Sequence, residues 1–493
     1  MRHLAATLPL LLCACGTTDD PHDQTIPAQP RAARPNLLRE SDQLAGGKLT
    51  TAERGAWTYR SSPNRSGEAW AATAGAPAGS AGHPTPAPGR ALLAAGPGAP
   101  GGDRGDSLAP AESAPPAGGP TSPGPAGPAT PASRESLASA AAGKAGRGAA
   151  TLRAGCSDDN AEFDAFLTYL AEARQAQKGA FVDLDVAGRC ALRVLDADGK
   201  PVPGTEVHVV DETTDKVVWR GTTYGDGRVP FYPAVAKQDG GSGGPYLVEA
   251  KLGDRVVRHM WQGTADTDVR LPTARTNGEP VALDVVFVID TTGSMQDEID
   301  AIKATLLDVT QQLRGLDREF DLRYGAVLYR DVGDDYVTAS HPFSKDLVAF
   351  DAALRDVQAG GGGDGPESLN QALAVAVDGL EWRQGAAKVA FLIADAPPHL
   401  DYEGDVTYDK SLRAAVARGI RVHSVAASGL DAGGSVVFRQ IAQWTRGEFV
   451  FVEYGGDVRK SAAAHGVDKP SAGNNLDEIL FTRIRDEIAH WGR

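Results

Sequence analysis

The sequence predicts a multidomain chain. A doubly wound α/β domain with a mostly parallel sheet occupies roughly 281–493, a small all-β sandwich precedes it, and a long disordered N-terminal tether precedes both. Three observations carry this. From Val281 onward the apolar runs LDVVFVI, LRYGAVLY, KVAFLIA and IRVHSVAA alternate with amphipathic stretches, the pattern of strands buried on both faces between helices. Between Cys190 and Pro233 apolar and polar residues alternate singly, broken by Asp198-Gly199, Pro203-Gly204 and Asp226-Gly227 turns. From Ala71 to Ala150 there is no aromatic residue, no Val and no Ile, so this segment cannot bury enough apolar surface to offset its ordering entropy.

Taken in order, residues 1–15, MRHLAATLPLLLCAC, have a basic start and a short apolar run, the layout of a secretory signal and too short for a membrane span. The ending Leu12-Cys13-Ala14-Cys15 resembles the lipobox of bacterial lipoproteins, which implies that Cys15 is lipidated and anchors the chain in the cell envelope. Gly16, where some bacteria use Asp for inner-membrane retention, points to the outer membrane. Residues 16–150 are read as the tether, Ala/Gly/Pro-rich from about 71, and as a coil those last ~80 residues would span on the order of 50 Å. Much of the chain's 58 Gly and 32 Pro lies there, so the folded part is smaller than 493 residues suggests.

Export places Cys156 and Cys190 in an oxidising compartment, where a disulfide between them is expected and would stabilise by roughly 3–4 kcal/mol. The 151–180 segment is read as helical, because Phe163, Phe166, Leu167 and Leu170 share one face and Asp159 or Asn160 can cap it. The sandwich is assigned to 181–275. Its Asp196 to Gly204 turn and the Thr223 to Gly227 turn resemble the carboxypeptidase-regulatory-like or transthyretin-like modules, which implies a spacer or platform.

In the α/β domain Asp290 and Asp395 each end an apolar run, VVFVID and KVAFLIAD. Ligands collect at such carboxyl ends. If the two strands are neighbours, their carboxylates converge, and a hard divalent ion with oxygen ligands resolves the repulsion. Met295, Ile299, Ile302, Leu306, Val309 and Leu313 step by three and four, so Met295 is core. Asp284 lies at the opposite end of its strand and is read as solvated, and His399 as a surface or partner-facing loop residue rather than a metal ligand. Asp331 follows another apolar run, as ligand or support for a ligand. Asp401, Glu403 and Asp405 are weaker candidates for a second cation.

D-T-T-G-S at a strand end, a Gly-rich loop and a second strand ending in Asp resemble a von Willebrand factor type A domain. The resemblance covers 281–493 and implies a metal-ion-dependent adhesion site. By it Asp290, Thr292 and Ser294 form the first loop and Asp395 the third, holding Mg²⁺ or Ca²⁺/Mn²⁺. The second loop, AGGGGDGPESLNQAL, lacks the family's Thr. Counting from the glycines selects Asp364, the preferred ligand, and counting back from the helix selects Glu367. The extra acid weakens the ion toward an acidic partner side chain.

A net charge of -15 with no basic face argues against nucleic acid. Phosphatases of D-x-D-x-T type need a second acid where Thr292 stands, and no Walker A, H-E-x-x-H or paired C-x-x-C pattern occurs. The expectation is a non-enzymatic, envelope-anchored protein that binds a protein partner through its cation site. The alternatives are a metal-dependent hydrolase, or a structural envelope protein whose ion only stabilises loops.

Overall fold

The computed structural model describes residues 26–27, 50–54, 57–61, 152–274, 281–316, 320–363, 365–471 and 473–491. Cys15 with the rest of the signal segment, most of the tether, and Asp364 lie outside the described residues. Among the described residues no helix is long and apolar enough to cross a membrane.

Among the described residues the first elements are β1 (Ile26–Pro27), a hairpin of β2 (Thr50–Arg54) and β3 (Trp57–Ser61), then β4 (Arg153–Ser157) and α1 (Phe163–Ala176). A β-rich module follows: β5 (Cys190–Leu195), β6 (Glu206–Asp211), β7 (Lys216–Thr222), β8 (Arg228–Phe231), α2 (Pro233–Gln238), β9 (Tyr246–Leu252), β10 (Arg255–Trp261) and β11 (Thr267–Arg270). The α/β part contains β12 (Val281–Asp290), α3 (Ile299–Arg314), β13 (Phe320–Tyr329), β14 (Thr338–Ser344), α4 (Leu347–Arg355), α5 (Leu369–Ala374) and β15 (Ala387–Ala394). It ends with α6 (Tyr408–Arg418), β16 (Ile420–Ala426), α7 (Ala432–Trp444), β17 (Phe449–Val452), α8 (Val458–Ala464), β18 (Asn474–Asn475) and α9 (Leu476–Ile488).

One large sheet runs β18-β4-β17-β16-β15-β12-β13-β14-β3-β2. Its centre, from β13 to β17, is parallel. Both margins are antiparallel, so the sheet is mixed rather than mostly parallel. β12 is buried on both faces: Leu283, Val285, Phe287 and Ile289 pack toward Ile302 and Leu306 of α3 and Leu480 of α9, while Val286 and Val288 share a core with Leu369, Leu412 and Val437 of α5, α6 and α7. Met295 is buried with the first group, as its helical register predicts.

The predicted boundaries need correction in three places, the first being residues 26–27 of the expected tether, which form β1 and pair with β10. Residues 50–61, read as part of the irregular tether, form the hairpin that extends the sheet beyond β14. The 151–180 segment is helical only from Phe163; ahead of α1 it supplies β4, which pairs antiparallel with β17. Asp159 does not cap α1. It is buried and makes a bidentate contact with Arg439 of α7 at 2.7 and 2.9 Å, and Asp158 accepts from the Asn160 and Ala161 amides instead.

The module has a five-stranded sheet, β1-β10-β9-β6-β7, and a three-stranded sheet, β11-β5-β8. Val207, Val209, Val248 and Ala250 from one share a core with Leu192, Val194, Val229 and Phe231 from the other. In its first turn Asp196 accepts from the Asp198 and Lys200 amides. Gly227 is obligatory by space and by backbone, since its φ is +72° and a Cβ would lie 2.7 Å from the Val194 carbonyl oxygen. The same core continues into α6 and α7, and Tyr232 stacks on Trp444 with ring centroids 3.9 Å apart.

The expected disulfide is absent. Cys156 and Cys190 are buried free thiols on different sheets. Cys156 faces the Ser471 hydroxyl at 2.6 Å, and Cys190 faces the carbonyls of Gly188 and Gly263. Burial holds both thiols above their ordinary pKa, Cys190 up to about 11.

Asp284 is also corrected. It is fully buried, and its carboxylate takes Arg323 at 2.9 and 2.8 Å and Arg383 at 2.9 Å, with the Arg383 amide at 2.9 Å. Removing one member of such a pair leaves buried charge uncompensated. Asp284→Ala is therefore expected to lower stability by about 3–5 kcal/mol in urea unfolding, where a solvated Asp would cost almost nothing. A 281–493 fragment lacks β4 and the β2–β3 hairpin and exposes the edges of β17 and β14, so it is expected to associate in size-exclusion chromatography while a 50–493 fragment, which keeps both, stays monodisperse.

Candidate functional site

β12 and β15 are direct neighbours and parallel, with Ile289 opposite Ile393. Their carboxyl ends therefore emerge side by side, and Asp290 and Asp395 converge as predicted. A chain of short contacts joins them. Asp290 Oδ1 accepts from the Thr292 amide at 2.9 Å and the Thr292 hydroxyl at 2.7 Å. The Ser294 hydroxyl donates to Asp395 Oδ1 at 2.9 Å, and the Thr292 and Ser294 hydroxyl oxygens lie 3.1 Å apart. Each hydroxyl has one proton and spends it on a carboxylate. The lone pairs left on Thr292 and Ser294 thus face each other, an arrangement a cation would relieve.

The electrostatics describe the same strain. Asp290 is fully buried, and desolvation followed by repulsion from Asp395 pushes its carboxyl up to about 7. Its Oδ2 makes no hydrogen bond of good geometry, although the Tyr329 hydroxyl is close enough to act on it. Glu367 is buried, its Oε2 has no hydrogen-bond partner, and desolvation with repulsion from Asp290, Asp331, Asp334 and Asp395 pushes it up to about 9. Gly362 separates Glu367 from the first loop: a Cβ there would lie 2.9 Å from Glu367 Oε1 and 3.2 Å from Thr292 Cβ. Glu367, from the second loop, thus faces Thr292 across Gly362, near enough to Asp290 and Asp395 for their charges to repel its own. Its rival Asp364 lies outside the described residues.

Oxygen donors only, from three loops, with unsatisfied buried carboxylate oxygens among them, fit a hard dication. Among the described residues no three His, Cys, Asp or Glu side chains are grouped tightly enough to ligate one ion by themselves. The two hydroxyls would have to take part.

Asp331 is buried and already satisfied, accepting from the Ser368 hydroxyl at 2.9 Å and the Tyr402 hydroxyl at 2.7 Å. That geometry makes it a support for the second loop. Asp334 accepts from the Asp331 and Gly362 amides at 3.1 and 2.8 Å, tying two loops together. His399 is buried, not at the surface. It stacks on Tyr402 at 3.9 Å and bonds Asp401 at 2.8 Å. Asp401 and Glu403 are exposed, whereas burial raises Asp405 to about 6.

Sequence reasoning missed Glu298. Both its oxygens accept from the Ser428 amide at 3.2 Å, and burial raises it to about 7. It links the start of α3 to the loop after β16. Its only sequence signal is a place one turn beyond Ser294, which is ambiguous with an ordinary acidic residue in a first helical turn.

A family comparison agrees with the α/β fold. Residues 284–425 match the family model of the von Willebrand factor A domain, so the sheet from β12 to β16 is a domain of that type. A curated relative, "Alpha-protein kinase vwkA" of Dictyostelium discoideum, is 31% identical over 120 residues, 24% of this chain. The chain spans about a fifth of that protein's length. Among solved structures, the crystal structure of conserved hypothetical protein BatB from Bacteroides thetaiotaomicron aligns over 37% of this chain and 96% of its own, at 15% identity and a TM-score of 0.28.

The raised carboxyls set a pH dependence. An acid whose folded pKa exceeds its unfolded value near 4 contributes fully below that value and loses its contribution as pH rises through the folded pKa. In chelator the melting temperature is expected to fall as pH rises from roughly 5 to 9, the span of the Asp290 and Glu367 shifts. Scanning calorimetry of the Asp290→Asn/Glu367→Gln double variant should show a flatter slope; an equal slope would reject this account.

Proposed function

We propose that this is an envelope-anchored bacterial protein whose A-type domain captures a protein partner through a metal-ion-dependent adhesion site. Asp290, Thr292, Ser294 and Asp395 hold the ion, with Glu367 or Asp364 from the second loop, and the ion is Mg²⁺ or its surrogates Ca²⁺ and Mn²⁺. The observation that carries this reading is the contact chain Asp290–Thr292–Ser294–Asp395, in which both hydroxyl protons are spent and two oxygen lone pairs meet. Buried acids pushed toward neutrality are the expected state of such a site before a dication compensates them.

With three carboxylates nearby, the ion is more than neutralised by the chain itself. A neutral carbonyl or a bridging water from the partner therefore suits its remaining position better than an acidic side chain. No catalytic step is assigned. At position 292, where an aspartate-dependent phosphatase carries its acid, the Thr hydroxyl donates to Asp290 and has no proton to deliver.

The anchoring belongs to the same reading: Cys15 carries lipid, in the outer membrane, and the stretch between Cys15 and the first docked strand, β1, sets the domain's reach. The β-rich module, read as carboxypeptidase-regulatory-like, serves as a platform. Its core runs into that of the A-type domain, which suits a rigid mount.

Calorimetry of the full chain with MgCl₂ is expected to give one saturable site. Asp290→Ala or Asp395→Asn should weaken it by about 100-fold or more, the upper end of what even supporting residues cost a metal site. Capture of partner from an envelope extract should disappear with chelator and with Asp290→Ala. Uptake of none of Mg²⁺, Ca²⁺ or Mn²⁺ by the wild type overturns the reading. Capture that survives chelation, with only the melting temperature lowered, would reduce the ion to a staple for the loops.

A further inference from the structure

The hairpin ahead of β4 reaches the first loop of the site. β3 pairs antiparallel with β14, Arg60 opposite Thr338, Tyr59 opposite Ala339 and Thr58 opposite Ser340, and the Val337 amide donates to the Arg60 carbonyl at 2.8 Å. Trp57 is buried, edge-on to His341 at 5.4 Å, which fastens the strand. Tyr59 is edge-on to Tyr336 at 5.3 Å.

Tyr336 is the link. Its hydroxyl lies 2.7 Å from Thr291 Oγ1, and Thr291 stands between Asp290 and Thr292. Because the Thr291 hydroxyl donates its one proton to the Tyr329 carbonyl at 2.8 Å, the Tyr336 hydroxyl is the donor to Thr291. The Arg330 guanidinium lies over the Tyr336 ring at 4.7 Å and donates to the Thr291 carbonyl at 3.1 Å and the Gln358 carbonyl at 3.0 Å. Tyr336 is thus wedged between Tyr59 on one side and the loop with its Arg330 brace on the other. Thr291 is fully buried, so loss of the Tyr336 hydroxyl takes away a donor from inside the protein.

We propose that β3 is a clasp, in which Tyr59, acting through Tyr336, is a positioning residue that holds the Asp290 to Ser294 loop in its working shape. The functional half of this rests on the reading of that loop as the cation site. The physical half does not, because it concerns the order of the loop itself.

The test is amide hydrogen exchange of the full chain in chelator, read on the peptide that contains Thr291, Gly293 and Met295. Their amides donate to Tyr329, Gly361 and Thr292 carbonyls at 2.9, 3.1 and 3.1 Å. Tyr336→Phe removes one donor and keeps the ring; Tyr59→Ala removes the supporting ring. Each is expected to speed exchange of that peptide roughly five-fold or more, the scale of one hydrogen bond or ring contact, while peptides from β15 and β16 keep wild-type rates. Tyr59→Phe should restore slow exchange. Mg²⁺ alone, titrated into the same variants, should bind more weakly by a similar factor. Unchanged loop exchange in Tyr336→Phe and Tyr59→Ala overturns the clasp, even if Mg²⁺ binds the wild type. Faster loop exchange in a protein that takes up no Mg²⁺ upholds the clasp and removes the cation reading instead. Acceleration spread equally over β15 and β16 in Tyr336→Phe also overturns it, since the effect would then be general loss of stability.

Discussion

Adjacent parallel strands β12 and β15 end level with one another, and each delivers an aspartate to the same buried place. Water is excluded from Asp290, and Asp395 and Glu367 add repulsion to the cost of burial. The surrounding loops are organised by the need to answer that cost. Thr292 and Ser294 turn their protons toward the acids, and Gly362 keeps the second loop close by having no side chain. Asp334 ties the loop after β13 to the glycines by accepting the Gly362 amide. A site of this kind is held together by backbone and hydroxyl contacts, and the acids at its centre oppose it until a positive charge arrives.

The central part of this arrangement was legible because burial on both faces writes itself as an unbroken apolar run. VVFVID could be read as a strand, its direction and the place of its aspartate followed, and the helix after it showed its register from Met295 to Leu313. The margins were not legible, for reasons that differ. β4 contains Gly155 where an apolar residue would be expected. A Cβ there would lie 2.6 Å from the Phe451 ring, so glycine is demanded by a neighbour distant in sequence. β3 lies in a polar stretch whose only apolar signal is Trp57 and Tyr59, and a strand that adds to an existing edge needs little more. Asp284 looked solvated because a carboxylate near a strand start usually is; two arginines, one from β13 and one from the loop before β15, make burial tolerable. The cysteines paired on paper through compartment alone, which says nothing of distance. The sequence does not separate Glu367 from Asp364, because counting through a run of glycines has no fixed register.

Module and A-type domain meet through contacts that leave little freedom. The Gly225 amide donates to Glu487 at 2.7 Å, and a Cβ at Gly225 would fall 1.8 Å from the Glu487 carbonyl oxygen. Arg421 sits 2.7 Å from the same carboxylate as an ion pair whose angle falls short of a directed hydrogen bond. Asp226 lies within 3.6 Å of Arg421 and 3.4 Å of Arg446, and these cations hold its carboxyl below the usual range despite burial. Thr222 donates to the Ala417 carbonyl at 2.8 Å. Side-chain charge, stacked aromatic rings and a missing methyl group thus converge on one junction, at the amino ends of the parallel strands. The loops of the candidate site occupy their carboxyl ends, so the mount and that rim do not compete for the same surface.

The position of β4 has a temporal side. Its partner β17 is made about 300 residues later, and at ribosomal speeds that delay is on the order of tens of seconds. During it the β-rich module can close on its own turns, while β4 and the apolar face of α1 wait without their neighbours. A nascent chain in that state displays an unpaired strand and an apolar helix face at once, until the last strands are made.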